Sequence, residues 1–486
     1  MQDDIKENNS ETENIPDVNA PKEPQKRHNP FRAFIIILIA ILLLAGLSYL
    51  PLSELTGGRV KDFNLLSDLF GTADTDSITK KQSQEGVDPE LLKAMNDGGT
   101  TTITTDSSHL AAQDSVIIPE KPSRVGDLIQ IEDYTLSQQG ISRLRQTLAS
   151  GRLGRIAVVG DSYIEGDIFT QDLRDQLQNI YGGSGVGYMN MHTEFPGFRR
   201  SIKQGGKGWN EFALGKKGKK EYFGISQHYF SPTGKATSTY SGSDKLLHTS
   251  QWTHSRFLFI SPVATTVKTK TSGGEWNSHQ IEGSPEVQCI EIHKPTSDFE
   301  IEVSSPSLIG LGVWLDNDKG ISLDCMSSRG FSGITLAKVD EQLTKSISRH
   351  IDYDLIILEF GINAMSAGQL DYSIYGRKMG NVISHVRRLY PSADILVMGV
   401  GDRGEKKGGV VNSMEAGTAM IAEQRSVARR AHTLFWDTRE AMGGIGAIAR
   451  WASSGMANKD YVHLTHKGGK ELATQLTKAI QKSINR

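Results

Sequence analysis

Apolar positions fall into three regimes along this chain. Near its start, residues 33–50 form one unbroken uncharged run, Ala-Phe-Ile-Ile-Ile-Leu-Ile-Ala-Ile-Leu-Leu-Leu-Ala-Gly-Leu-Ser-Tyr-Leu. A run of about 18 apolar residues is enough to span a bilayer as a helix, so a transmembrane segment is predicted over 31–52. From about residue 129, short apolar runs alternate with helical spacing. Leu136, Ile141, Leu144 and Leu148 predict a helix ending at Gly151, and residues 156–159 read as a buried strand. Ile168, Leu173, Leu177 and Ile180 then line one face of a helix that stops at Gly182-Gly183. Between about 199 and 320 the helical period disappears. Runs rich in β-formers at 257–260, 265–270, 287–292, 299–303 and 308–315 are separated by Gly, Ser, Thr and Asn, the pattern of a β-sandwich-like module. Afterwards the first rhythm resumes, with strands at 321–325, 355–360, 395–400 and 434–436 and helices at 334–351, 372–389, 414–431 and 466–484.

Strands alternating with helices imply a mostly parallel sheet covered on both faces. The expected layout is a polar, disordered tail (1–30), the membrane segment (31–52) and a flexible linker rich in Ser, Thr, Asp and Gly (53–124). An α/β domain follows in two parts (125–198 and 321–486), interrupted by the β-rich module (199–320).

Charge orients the membrane segment. Lys22, Lys26, Arg27 and Arg32 precede it, whereas Arg59 and Lys61 follow beside Glu54 and Asp62. Positive residues stay in the cytoplasm, which puts the folded part outside it, in the periplasm or beyond the cell. A cleaved signal peptide is disfavoured, because the run is long, no Ala-x-Ala site follows and no cysteine offers a lipidation site. The formal net charge of −2 gives no case for nucleic-acid binding. Cys289 and Cys325 are the chain's only cysteines, too few for a disulfide scaffold or a thiolate metal site. Pairing in an oxidising compartment and two buried thiols both stand as readings; sheet-forming residues around each favour the second.

Chemistry concentrates in four blocks. Val158-Val159-Gly160-Asp161-Ser162 ends a buried run in Gly-Asp-Ser, which places Ser162 at the carboxyl edge of a parallel sheet, where open α/β folds keep their sites. A helix start after it would favour developing negative charge. Serine needs a base to act as a nucleophile, and Asp460-Tyr461-Val462-His463 offers one, with a carboxylate three residues away to orient the ring. Gly361-Ile362-Asn363 and Ser328-Arg329-Gly330-Phe331-Ser332-Gly333 each follow a strand and could supply N–H donors to an oxyanion. Each block alone has an ordinary explanation: a helix N-cap serine, a surface Asp–His pair, a strand-end turn and a Gly/Ser turn.

In order, the blocks resemble the SGNH (GDSL-like) hydrolase family: Ser162, Gly330, Asn363 and His463. The resemblance spans roughly 129–198 and 321–486, and it implies a three-layer α/β/α, flavodoxin-like fold. It makes Ser162 the nucleophile, His463 the base and Asp460 its orienter, with Gly330, Asn363 and the Ser162 N–H as the oxyanion hole. The stretches 160–167 (Gly-Asp-Ser-Tyr-Ile-Glu-Gly-Asp) and 440–444 (Glu-Ala-Met-Gly-Gly) look like bacterial peptidoglycan O-acetylesterases, which carry such an inserted module. Tyr163 stands where leucine is usual, and Ala364 where many relatives have Asp or Glu, which weakens the support of Asn363.

The expected partners are an acetylated cell-envelope glycan and the inner membrane. An acetyltransferase and a non-catalytic glycan binder remain as alternatives. No cofactor or metal is expected, since Asp460, His463 and His466 are the only residues of ligand type near the motifs and two of them serve the triad. Asp402 and Arg403 read equally as a substrate contact or a charged turn. Lys216, Lys217, Lys219 and Lys220 read as a solvated loop before a glycan contact, and Trp209, Trp252, Trp276 and Trp314 as core before sugar platforms.

Overall fold

The computed structural model describes residues 88–91, 93, 124–125, 128–214 and 222–485. The expected tail, the membrane segment, most of the linker and the four-lysine cluster lie outside the described residues. Among the described residues no helix is long and apolar enough to cross a membrane.

A six-stranded sheet organises the α/β part. Its strands are β1 (Glu132–Asp133), β2 (Leu153–Gly160), β3 (Gly320–Ser327), β4 (Leu355–Glu359), β5 (Asp394–Met398) and β6 (Leu434–Trp436), in spatial order β3-β2-β4-β5-β6-β1. All pairs are parallel except β6 with β1, an edge strand that the sequence pattern did not suggest. The interior strands are buried along almost their whole length, as continuous Val/Ile/Leu runs should be when both faces are covered.

Five main helices accompany the sheet: α1 (Ser142–Ala149), α2 (Thr170–Tyr181), α3 (Ser373–Leu389), α4 (Glu415–Arg430) and α5 (His466–Ile484). Helix α2 packs on α5, and α3 on α4. From β2 the chain crosses to β3 on one side, while later crossovers progress through β4 to β6 on the other. Right-handed connections in opposite directions put their helices on opposite faces, giving three layers. The reversal of strand order at β2 creates a switch point, and Ser162 follows β2.

Two helices differ from expectation. The helix expected from Leu136 begins only at Ser142, and Leu136 is 85 % exposed, because Gly140 turns the chain at φ 65° first. The run 334–351 is broken into a 3₁₀ segment, Ile334–Lys338, and a helix, Glu341–Ile347. Extended Val339 separates them and Asp340 caps the second by accepting from Leu343 N–H.

The inserted module is larger than its expected span. Its antiparallel sheet has nine strands, beginning with Gly187–Met189 and ending with Ile309–Asp316. Two long strands, Ile202–Ala213 and His228–Gly242, carry so much Gly, Ser, Thr and Lys that no apolar alternation marked them. The module has its own core around Phe230, Tyr240, Phe257, Phe259 and Phe299. Its Tyr229, Leu258, Leu311 and Trp314 join the main core, so module and α/β part share apolar packing. Trp209, Trp252 and Trp314 are core residues, whereas Trp276 is 40 % exposed beneath the Lys270 ammonium. Both thiols are free, and burial pushes them up, Cys289 to about 12 and Cys325 to about 11.

Candidate active site

Ser162 leaves β2 on a turn, not directly on an α-helix. A short 3₁₀ segment, Glu165–Asp167, intervenes, and α2 starts only at Thr170. The expected support from a helix dipole therefore does not come from α2. Asp161 shapes the turn instead: its Oδ1 accepts from Tyr163 N–H at 2.9 Å and its Oδ2 from Asn363 Nδ2 at 2.9 Å. Asp161 is wholly buried. Burial pushes its carboxyl up to about 7, against the opposing pull of the Tyr163 N–H, the Asn363 amide and the Arg403 charge. Glu359, at the end of neighbouring β4, is likewise buried, and burial together with Asp161 drives it well above the usual carboxylate range. Two carboxyl groups thus sit in the interior directly behind the serine, and like-charge proximity opposes ionising both.

His463 and Asp460 come from a turn between the segment Ala447–Ser453 and α5, not from a helix. Asp460 Oδ1 accepts from the Val462 and His463 N–H groups at 2.9 and 3.1 Å, which closes the turn locally. Tyr461 adopts φ 57°, and its carbonyl accepts from Gly404 N–H at 2.8 Å. The start of α5 is capped by Thr465, so Asp460 is free of that duty. Its Oδ2 lies 2.8 Å from His463 Nδ1, and His463 Nε2 lies 3.0 Å from Ser162 Oγ. A carboxylate facing Nδ1 fixes the proton there and leaves Nε2 to accept one from the serine. Burial raises the Asp460 carboxyl, but hydrogen bonds from the His463 ring and the Val462 and His463 N–H groups outweigh it and hold the group below its usual value.

The two oxyanion candidates are placed differently. Gly330 sits in an exposed turn after β3 at φ 82°, a conformation that glycine tolerates. Among the described residues nothing accepts a hydrogen bond from its N–H or from that of Ser162. Asn363 lies in the 3₁₀ segment Ile362–Ala364, and its Nδ2 donates both to Asp161 and to the Phe331 carbonyl at 3.1 Å. Its amide hydrogens are therefore committed, and the Phe331 contact must yield before Asn363 can serve an oxyanion.

Several neighbours of the site escaped the sequence reading. Asp167, the last residue of the 160–167 stretch, is a buried hub. Arg174 donates to both its oxygens at 2.8 Å, Arg199 at 3.1 Å and Ser201 at 2.6 Å. Burial opposes its ionisation, but the two guanidinium groups hold its carboxyl far below the usual range. Glu165 pairs with Arg329 across the Ser and Gly loops. The module reaches the same place: His228 Nε2 lies 3.0 Å from Ser328 Oγ, and its Nδ1 lies 2.6 Å from Glu211. Only spatial proximity assigns these roles; no spacing in sequence carries them. Asp402, left open above, is structural, since it is buried and accepts from Ser413 Oγ and Ile448 N–H. Arg403 donates to the Ile362 carbonyl at 2.9 Å.

A cavity of about 450 Å³ lies between module and α/β part. Glu165, Ser328, Arg329 and Phe331 line one side, and His192, Phe195, Phe198 and Glu211 the other. Phe195 and Phe198 are 58 % and 41 % exposed, which offers apolar faces to a ligand. Ser162 and His463 do not line this cavity; it adjoins the loops that carry Ser162 and Gly330. His466 lies beside Gln171, 3.0 Å from its amide, and makes no cluster with the triad. The trio His254, Glu291 and His293 on the module is the group of metal-ligand type among the described residues, but Arg256 already holds Glu291 at 2.6 Å.

No family model matches the chain, and no curated protein matches it. Among solved structures, one described as a peptidoglycan O-acetylesterase in action is 24 % identical, with a TM-score of 0.62 over 73 % of this chain and 99 % of that one. A family two carbohydrate esterase from Cellvibrio japonicus is 9 % identical, with a TM-score of 0.26 over 58 % of this chain and 99 % of that one. An acetyl xylan esterase is 17 % identical, with a TM-score of 0.26 over 33 % and 81 % of the two chains. The first of these shares the fold over nearly its whole length.

Proposed function

We propose that this chain is a serine esterase that removes O-acetyl groups from a cell-envelope polysaccharide, with peptidoglycan as the preferred substrate. The observation that carries this reading is the continuous relay from Ser162 Oγ through His463 to Asp460, with contacts of 3.0 and 2.8 Å. In this mechanism His463 takes the Ser162 proton as Oγ attacks the acetyl carbonyl, and Asp460 steadies the imidazolium. The Ser162 and Gly330 N–H groups, joined by Asn363 once it leaves Phe331, stabilise the tetrahedral oxyanion. As the intermediate collapses and the bond from the acetyl carbon to the sugar oxygen breaks, His463 returns the proton to that oxygen, which leaves as a hydroxyl and puts the acetyl group on Ser162. Water then enters with His463 as base and releases acetate from Ser162.

The structure described as a peptidoglycan O-acetylesterase lends substrate class to the proposal. The cavity between the module and the Ser and Gly loops supplies room and two exposed phenyl rings for sugar. The membrane segment at 31–52, with the catalytic part outside the cytoplasm, remains part of the proposal on the strength of its sequence and flanking charges. Transfer of the acetyl group to a glycan hydroxyl uses the same acyl-enzyme and differs only in the acceptor. Mass spectrometry of O-acetylated muropeptides before and after exposure to the protein tests the reading. Loss of acetyl groups with release of free acetate supports an esterase, acetyl appearing on a new hydroxyl supports a transferase, and unchanged muropeptides that nevertheless bind support a glycan-binding protein.

A further inference from the structure

The stretch expected to be only a tether contains a piece that is docked on the α/β part. Residues 89–91 are helical, and Leu91 is 1 % exposed within the main core. Asp88, just before them, is buried. Its Oδ2 accepts from Ser332 N–H at 2.8 Å and from the Ser332 hydroxyl at 2.7 Å, while its Oδ1 accepts from Glu90 N–H at 2.9 Å. The Asp88 N–H donates to the Asn363 carbonyl at 3.0 Å. Glu90 adds an ion pair with Lys338.

These contacts have a specific target. Ser332 belongs to the loop that carries Gly330, and Asn363 is the second oxyanion candidate. One residue therefore bonds both loops, which also meet through Asn363 Nδ2 and the Phe331 carbonyl. The Gly330 loop lacks regular structure and has Gly330 and Gly333 at φ 82° and 90°. Such a loop holds a single shape only when contacts restrain it. His228 of the module restrains it at Ser328, and Asp88 restrains it at Ser332. Loss of the Asp88 carboxylate leaves the Ser332 N–H and hydroxyl without their buried acceptor, while the backbone bond to the Asn363 carbonyl loses the side chain that anchors it.

We propose that Asp88 is a positioning residue for the oxyanion hole, and that residues 88–91 are a clasp that joins the N-terminal stretch to the working geometry of the site. The mechanistic half of this inference rests on the esterase reading. Oxyanion donors act mainly in the transition state, so their displacement lowers kcat more than it raises KM.

The test uses the full chain with Asp88→Ala, Asp88→Asn and Ser332→Ala. Turnover of a chromogenic acetyl ester is expected to fall by up to about 10²-fold for Asp88→Ala, the scale of a small misplacement. KM should change little, and the pH midpoint of activity should stay where it is, because Asp460 and His463 are untouched. Asp88→Asn, which keeps an acceptor oxygen, should recover part of the loss, and Ser332→Ala should cost little more on top of Asp88→Ala. Amide hydrogen exchange should accelerate at 328–333 and 361–364 and not at 460–463. Unchanged kcat and unchanged exchange in both Asp88 variants overturn the clasp. Should Asp88→Ala unfold the protein, Asp88→Asn and Ser332→Ala decide by the same readouts. If the parent lacks esterase activity the esterase reading fails, and the exchange pattern still decides whether Asp88 holds the loops.

Discussion

The two halves of the proposed reactive centre are built in opposite ways. The serine half is anchored in the interior: Gly160 and Asp161 leave a buried strand, and Asp167, further along the same loop, forms with Arg174 an ion pair whose side chains are fully buried. The histidine half is a surface turn, with side-chain exposures of 36 % for His463 and 47 % for Asp460, held by its own Asx-type hydrogen bonds. In the proposed mechanism the nucleophile meets the substrate at one fixed point, which suits a loop held by groups that are expensive to disturb. The proposed base, which would move a proton between serine, leaving group and water, is a ring that is oriented but not entombed. Substitutions on the serine side beyond Ser162 itself should therefore damage stability, and those on the histidine side should damage rate.

The largest effect should come from Ser162→Ala. Loss of the nucleophile in a triad costs on the order of 10⁶-fold in kcat, while the small, half-buried side chain contributes little packing. Acetate release should vanish with an unaltered circular dichroism spectrum and melting point. Measurable parent-like turnover by this variant would sink the serine mechanism.

Asp460→Asn separates the halves next. It leaves the serine loop untouched but removes the charge that orients His463, at an expected cost of about 10³–10⁴-fold in kcat through loss of the correct tautomer. Its melting temperature should stay within a few degrees of the parent, since substitutions at exposed positions usually cost about 0.5 kcal/mol or less. The comparison breaks if this variant melts far below the parent. Asp167→Asn should show the converse. Breaking a buried ion pair costs about 3–5 kcal/mol because the partner charge is left uncompensated, and both Arg174 and Arg199 face Asp167. Calorimetry should show a large drop in melting temperature, with residual activity per folded molecule well above that of Asp460→Asn. A normal melting point would mean that the hub does not anchor the serine loop.

Legibility from sequence follows the same division. Short apolar runs such as 156–159 and 355–358, rich in β-branched residues and too short for helices, read as buried strands, and they lie in the strands Leu153–Gly160 and Leu355–Glu359. Helical spacing found α3, α4 and α5 to within a residue at either end. Ser162, Asp460 and His463, which the structure brings into one hydrogen-bonded chain, could be proposed because nucleophile, base and orienter need particular residue types at particular places. What stayed hidden depends on tertiary partners. Nothing local marks Asp167 as a hub, since Arg199 and Ser201 lie far along the chain. Asp88 sits in a polar stretch whose composition resembles any tether. The strand Ile202–Ala213 was hidden by its lysines and glycines, because its pairing with His228–Gly242 is set by backbone bonds. The direct run from Ser162 into a helix was the wrong expectation, because the Asp161 turn and the 3₁₀ segment intervene.

The smallest predicted effect concerns Asp161, which belongs to the anchored half yet carries a stability cost of its own. Burial raises its carboxyl to about 7, above the unfolded-chain value. The unfolded chain gives up that proton from about pH 4, while the folded protein keeps it until about pH 7. Across that window the unfolded state binds fewer protons, so stability falls as pH rises and levels off beyond the folded value. Asn at this position cannot ionise and can still accept from Tyr163 N–H. Asp161→Asn should therefore lose part of the slope, and its melting temperature relative to the parent should climb between pH 4 and pH 7. Some slope will remain, because Glu359 behind it is also raised by burial. Catalysis should nevertheless suffer, since an amide holds Asn363 Nδ2 less strongly than a carboxylate. Melting curves at half-unit pH steps, paired with kcat at pH 8, make the check. Parallel curves for parent and variant would show that the Asp161 charge is not a cost to the fold, and the serine side would then be held without that cost.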